Sequence, residues 1–307
     1  MMVVDEQGGR GRFTCAICKC YLAEGVVEGQ SIFFASPKGS DAEEVFAQLP
    51  ATSSTSSTST DVSVPSASAG ADFKIAWRYN TKVQETVRTA SKFDLAKKAE
   101  KLGETEFSKR VIAYKPVNRR PAYEDVWKQL HSSLESHHQA GGGFLRILIT
   151  DMGSPLWADP SNLSRFLLYL RGKETCCYVP YVFPIPSVFT RQANCIILLT
   201  ADTLLLDECG RVDLLNCCDT YFQLEPVGEQ QRKEMNAFQK FDGRFIIKKL
   251  ASPYSIAPFH PECTDMVFDL TRHSFDINVL HLPPAIGRDG ATDTANTMSC
   301  QRIQSEF

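Results

Sequence analysis

Apolar and polar positions follow two rhythms along this chain, and their order predicts the elements. FLRILIT at 144–150 and NCIILLT at 194–200 are unbroken apolar runs of strand length, the pattern of strands buried on both faces. SIFFAS at 31–36 and FKIAWRY at 73–79 read as further strands, and DTYFQLE at 219–225 follows the same logic. Later segments alternate with a period of two: GRFIIKKL at 243–250, VFDLTRH at 267–273 and FDINVLHL at 275–282. Between them the period lengthens. Residues 121–139 place Tyr123, Val126, Trp127, Leu130 and Leu134 on one helical face. TCAICKCYLAE at 14–24, SNLSRFLLYLR at 161–171 and the stretch from Leu204 to Leu215 also read as helices, and Ser40 is placed to cap a helix over 41–48.

Strands alternating with helices over the first two thirds imply βαβ units and a mainly parallel sheet. The alternating strands near the end add antiparallel strands at one edge. Residues 51–71 (ATSSTSSTSTDVSVPSASAGA) have almost nothing to bury and read as a disordered loop inside the domain. Residues 288–307 are polar and read as a disordered tail.

Composition narrows the class. The 307 residues are 43% hydrophobic and 22% charged, which excludes a wholly disordered or collagen-like chain. No apolar run approaches the ~18 residues of a spanning helix, and the first residues, MMVVDEQGGRGR, carry no signal-peptide core. The 11 cysteines are odd in number and several sit in apolar runs, as Cys195 does, so a reduced cytoplasmic chain, also nuclear, is expected. Net charge is −3, but it is uneven: residues 73–128 hold 14 Lys and Arg against 7 Asp and Glu. Lys97, Lys98, Lys101, Lys109, Arg110, Arg119 and Arg120 are the concentration, with Phe93, Phe107, Tyr114 and Tyr123 interleaved. Cations that neutralise phosphates beside rings that stack on bases suit RNA, and a solvated surface of mixed charge has the same composition.

Candidate chemistry is thin. FLRILITD ends in Asp151, as does the strand that presents a Mg²⁺-binding Asp in P-loop ATPases, yet buried strands often end in Asp at a turn. The partner motif G-x-x-x-x-G-K-[ST] is absent; Gly172-Lys173 is followed by Glu174. Cys15, Cys18 and Cys20 form C-x-x-C-x-C without a second pair nearby, so a zinc site is not expected; on a helix Cys15, Cys18 and Leu22 share a core-like face. None of the six histidines falls in a metal or nucleophile motif. No catalytic, nucleotide-binding, metal or cofactor site is expected from these residues.

DMGSPLW at 151–157, followed by LSRFLLYLRG at 163–172 and LHLPP at 280–284, resembles the PAXNEB family, the fourth subunit of the Elongator complex. YLAEG at 21–25, FFASPK at 33–38, QLP at 48–50, IAWRY at 75–79 and SKFDLAKK at 91–98 match that family in order, and the ending SEF is similar to its ending. The resemblance implies a RecA-like three-layer α/β domain with a mainly parallel central sheet and lost nucleotide motifs. It implies a heterohexameric ring with Elongator subunits five and six, docked on the catalytic subcomplex, binding tRNA and acting in modification of the wobble uridine, with catalysis in another subunit and no membrane. Lys97, Lys98, Arg119 and Arg120 are then the candidate tRNA contacts.

Two stretches depart from the family pattern. Residues 1–13 are short, Gly/Arg-rich and polar, so the chain is expected to join the pattern inside the first helix and to lack the first strand of the sheet. Residues 173–192 carry prolines at 180, 184 and 186, which forbid a central strand there. One or both departures are expected to be artefacts of exon assignment. The expected organisation is therefore an atypical N-terminus at 1–13, a RecA-like domain at 14–287 and a tail. Two rival functions remain at this stage: a nucleotide-dependent enzyme of the same fold using Asp151 for Mg²⁺, and a scaffold without RNA contact.

Overall fold

The structure, a computed structural model, describes residues 1–8, 11–38, 42–53, 92–100, 102–117, 120–139, 141, 143–171, 194–228, 230, 240–251 and 264–280. The segment FKIAWRY, the cap residue Ser40, most of the loop 51–71, the insert 173–192 and the tail lie outside the described residues.

Eleven strands are described. They are β1 (Met2–Glu6), β2 (Ser31–Ala35), β3 (Pro50–Thr52), β4 (Phe93–Lys98), β5 (Val111–Ala113), β6 (Leu145–Met152), β7 (Cys195–Ala201), β8 (Thr220–Pro226), β9 (Gly243–Lys249), β10 (Met266–Leu270) and β11 (Phe275–Val279). The described helices are α1 (Arg12–Val27), α2 (Ala42–Phe46), α3 (Glu104–Arg110), α4 (Tyr123–Gln139), α5 (Leu163–Arg171) and α6 (Glu208–Cys217). Nine strands form one sheet in the order β11-β10-β9-β8-β1-β7-β6-β2-β5, and β3 pairs with β4 in a separate ribbon. From β8 to β5 every pairing is parallel. From β8 to β11 every pairing is antiparallel. This mainly parallel sheet with antiparallel additions at one edge is the architecture expected.

The expected loss of the first strand is wrong. Met2–Glu6 is β1, and it lies in the middle of the sheet, parallel to β7 on one side and β8 on the other. Of the residues expected to form an atypical N-terminus, 2–6 are thus the central strand and 12–13 open α1. Only four apolar residues precede Asp5 and Glu6, so the segment reads as polar. Both acids are nevertheless buried: Thr203, far along the chain, donates to Asp5, and Thr14 of α1 donates to Glu6.

The period of two divides each strand between two cores. Val3, Ala35, Ile149, Leu199 and Tyr221 form one row across β2, β6, β7, β1 and β8. They pack against α4, α5 and α6 through Leu130, Leu134, Phe166, Leu167 and Leu214. Phe34, Leu148 and Leu198 point the other way, toward Leu22 of α1 and Phe46 of α2. The result is three layers, with helices on both faces of the sheet.

The helix expected over Leu204–Leu215 is two elements. A 3₁₀ turn at Thr203–Leu205 is capped by the Asp202 side chain, and α6 starts afresh with Asp207 accepting the N–H of Gly210 at 2.8 Å. Two Asx caps five residues apart break the periodic run.

Candidate functional site

The C-terminal ends of the parallel strands meet the N-terminus of α1, the place where open α/β sheets bind ligands. A cavity of about 280 Å³ opens there, lined among others by Thr14, Cys18, Lys38, Thr150, Asp151 and Thr200.

Asp151 stands at the end of β6, beside this cavity, as its sequence context predicts. Its backbone takes a left-handed φ of 54°, uncommon for a residue with a side chain. The surroundings enforce it. The Asp151 N–H donates to the Thr200 hydroxyl at 3.0 Å, and its carbonyl accepts from the Trp157 indole at 2.9 Å and from the Ser154 N–H at 3.1 Å. Trp157 is 1% exposed and stacks on Tyr123, whose hydroxyl accepts the Gly153 N–H at 2.8 Å. Gly153 has a φ of 77°, and a Cβ there would lie 2.0 Å from the Leu206 side chain, so only glycine fits. The DMGSPLW motif is therefore a tight turn that aims the Asp151 carboxylate at the cavity.

That carboxylate is already engaged. Lys38, just past β2, places its Nζ 3.0 Å from Asp151 Oδ1. Behind the lining residue Thr14, Glu6 at the end of β1 accepts the Thr14 N–H of α1's first turn at 2.6 Å. The second Glu6 oxygen and the Thr150 hydroxyl are buried without a hydrogen-bond partner among the described residues. Asp5, the neighbour of Glu6, points to the other face. It accepts from the Thr203 N–H and hydroxyl at 2.9 and 2.7 Å and from the Tyr221 hydroxyl at 3.0 Å.

Cys18 and Leu22 face the core as expected, whereas Cys15 is exposed. One residue of the proposed core face is thus exposed beside the cavity. Burial pushes the Cys18 thiol far above its ordinary range, with Cys15, Asp151 and Glu6 adding to the effect, so it stays protonated and unreactive. Among the described residues no group of three or more His, Cys, Asp or Glu is placed to hold a metal ion.

The candidate RNA contacts lie on separate elements. Lys97 and Lys98 end β4 and are exposed, with Lys97 3.7 Å from Asp94. Arg120 is exposed in the passage from β5 to α4, and Arg119 lies outside the described residues. Arg110, one of the same basic concentration, has a different role. Its guanidinium donates to the carbonyls of Gly25 at 3.1 Å and Val26 at 2.9 Å, closing the end of α1. Sequence reasoning missed Glu6, Lys38 and Thr200. Glu6 was hidden in a segment that reads as polar, and Lys38 and Thr200 matter only through partners more than 45 residues away.

A family model described as "PAXNEB protein" matches residues 1–306. Elongator complex protein 4 of Xenopus laevis is 26% identical over 98% of this chain and 78% of its own length. Elongator complex protein 4 of Mus musculus is 24% identical over 96% of this chain and 76% of its own. Among solved structures, a KaiC-like protein, PH0186 of Pyrococcus horikoshii OT3, aligns over 90% of this chain and 88% of its own, with a TM-score of 0.43 and 10% identity.

Proposed function

The chain belongs to the PAXNEB family, and from that premise we propose that it is a non-catalytic RecA-like subunit of the Elongator complex. The observation that carries this reading is the match, over almost the whole chain, to proteins named Elongator complex protein 4. In the finer form of the proposal it joins subunits five and six in a heterohexameric ring, in the cytoplasm and also the nucleus. The ring docks on the catalytic subcomplex and binds tRNA during wobble-uridine modification, and the chemistry belongs to another subunit. The site geometry supports a non-catalytic role: Asp151 is held by Lys38, and the buried Cys18 thiol is unreactive.

The rival enzyme reading needs Asp151 free for Mg²⁺. Purified chain that binds ATP, and loses it on Asp151→Ala, would establish that rival. The first test of the proposal is capture of the full chain from its own cells with mass spectrometry of what accompanies it; Elongator subunits are expected, and their absence refutes the reading.

The RNA part is tested separately. Lys97, Lys98, Arg119 and Arg120 are changed together to Glu and the assembled complex is titrated with tRNA across salt concentrations. Loss of a few phosphate contacts should weaken binding and flatten the slope of log K against log salt by about 0.7–0.9 per contact. An unchanged slope supports a scaffold without RNA contact at these residues.

A further inference from the structure

The junction of β1 and α1 has the setting of a phosphate-binding loop: a central parallel strand, a Gly-rich stretch of sequence, then a helix whose first turn borders a cavity. In the pattern G-x-x-x-x-G-K-[ST] the backbone itself must approach the phosphates. Aligned on Gly11, which takes a left-handed φ of 76°, the first glycine of that pattern becomes Glu6. The lysine becomes Arg12, and the hydroxyl residue becomes Phe13.

Glu6 is not a bystander at this position. Its residue is 2% exposed, one oxygen takes the Thr14 N–H, and the other is buried without a partner among the described residues. A negative group on the N–H of a helix's first turn satisfies an otherwise orphaned donor and the positive end of the helix dipole. A phosphate oxygen does the same work in a nucleotide site. The second contact repeats the theme with opposite sign. Asp151 stands where a Mg²⁺-binding Asp would, and the Lys38 ammonium sits on it at 3.0 Å. The same Nζ lies 4.0 Å from where a Cβ on Gly11 would be, so one cation spans the Asp151 carboxylate and the loop.

We propose that the chain supplies its own ligands: the Glu6 carboxylate replaces a phosphate oxygen at the N-terminus of α1, and the Lys38 ammonium replaces the divalent cation on Asp151. The C-terminal ends of β1 and β6 then carry their contacts without nucleotide. An incoming phosphate is excluded twice, because it must displace a bonded carboxylate and then remain beside it. This inference stands on the geometry of one chain and does not depend on Elongator membership, so a chain found outside that complex would still be expected to show it.

The probe is inorganic pyrophosphate, with and without Mg²⁺, added to the full chain together with whatever subunits co-purify. Hydrogen exchange of the peptide covering residues 11–18 is the readout, with calorimetry alongside. The wild-type chain should show no added protection up to about 10 mM, which corresponds to binding weaker than millimolar. Glu6→Gly removes the internal anion and restores the glycine of the motif. It should bind pyrophosphate at least about tenfold more tightly, without a need for Mg²⁺. Adding Lys38→Ala in that background should make binding depend on Mg²⁺, through the freed Asp151. A folded Glu6→Gly chain with no gain overturns the proposal. So does saturable protection of residues 11–18 in the wild-type chain, a measurement that needs no variant and decides the matter even where Glu6→Gly fails to fold.

Discussion

Asp5 sits at the C-terminal end of β1 among four polar groups, and they do not fully offset its burial. Desolvation raises its pKa above the ordinary carboxylate value, opposed by the bonds from Thr203, Tyr221 and Gln7. The folded chain therefore holds this proton more tightly than the unfolded chain, whose Asp titrates near about 3.9. Between the two pKa values raising the pH favours unfolding, so Asp5 makes the chain less stable as pH climbs through that window. Asp5→Asn removes this dependence. Its amide oxygen can accept the Thr203 N–H, and the two hydroxyls can turn to accept from its nitrogen. The difference in Tm, Asp5→Asn minus wild type, should grow between pH 4 and pH 7. A flat or shrinking difference in a thermal-denaturation series would show that the carboxyl is not disfavoured by burial.

At the scale of elements, what sequence could reveal depended on how local the cause was. β6 and β7 were legible because their apolar runs are continuous, and β9 to β11 because they alternate. β3 and β4 were not. PAT has three residues and FDLAKK is half exposed, and the ribbon is tied down from outside, by the Leu95 N–H on the His273 carbonyl and by His273 Nδ1 against Asp94. α3 buries none of its residues fully, and its value lies in the end it offers to another helix. α1 has no basic residue in its last turn, and Arg110 supplies the missing cation from the end of α3. The candidate site shows the same division. Asp151 could be picked from the strand it ends, whereas Glu6 and Lys38 could be recognised only once their partners were in place. Arg110→Ala should cost about 1–2 kcal/mol in chemical denaturation, since it leaves the α1 carbonyls of Gly25 and Val26 without their charged donor. Lys109→Ala, one position earlier and exposed, should stay within about 0.5 kcal/mol. Equal losses would mean that the pair acts through general charge and not through the α1 end.

The molecule as a whole hangs on β1. Of the nine strands in the main sheet, β7, β6, β2 and β5 lie on one side of it and β8, β9, β10 and β11 on the other. Val3 is fully buried in the row that joins Leu199 to Tyr221, and Val4 is buried on the opposite face, so this one strand contributes to both cores. A fault here is different in kind from a fault in an edge strand: it leaves two ladders unpaired and opens both cores at once. Val3→Asp places a charge where no donor is available, which costs several kcal/mol or more and exceeds what a marginally stable fold can absorb. Val3→Ala removes two methyl groups, about 1.6 kcal/mol of burial at about 0.8 kcal/mol per group, with a further contribution from the cavity. Val117→Asp, at a residue 70% exposed, is the control for added charge. The expected order is full solubility and a cooperative thermal transition for Val117→Asp, a lowered but still cooperative transition for Val3→Ala, and insoluble or protease-sensitive chain for Val3→Asp. If Val3→Asp stays soluble with native near-ultraviolet circular dichroism, residues 2–6 are not the central strand. The Glu6 contact would then lose its place beside α1, because the same strand that joins the two halves of the sheet also positions the carboxylate that takes the Thr14 N–H.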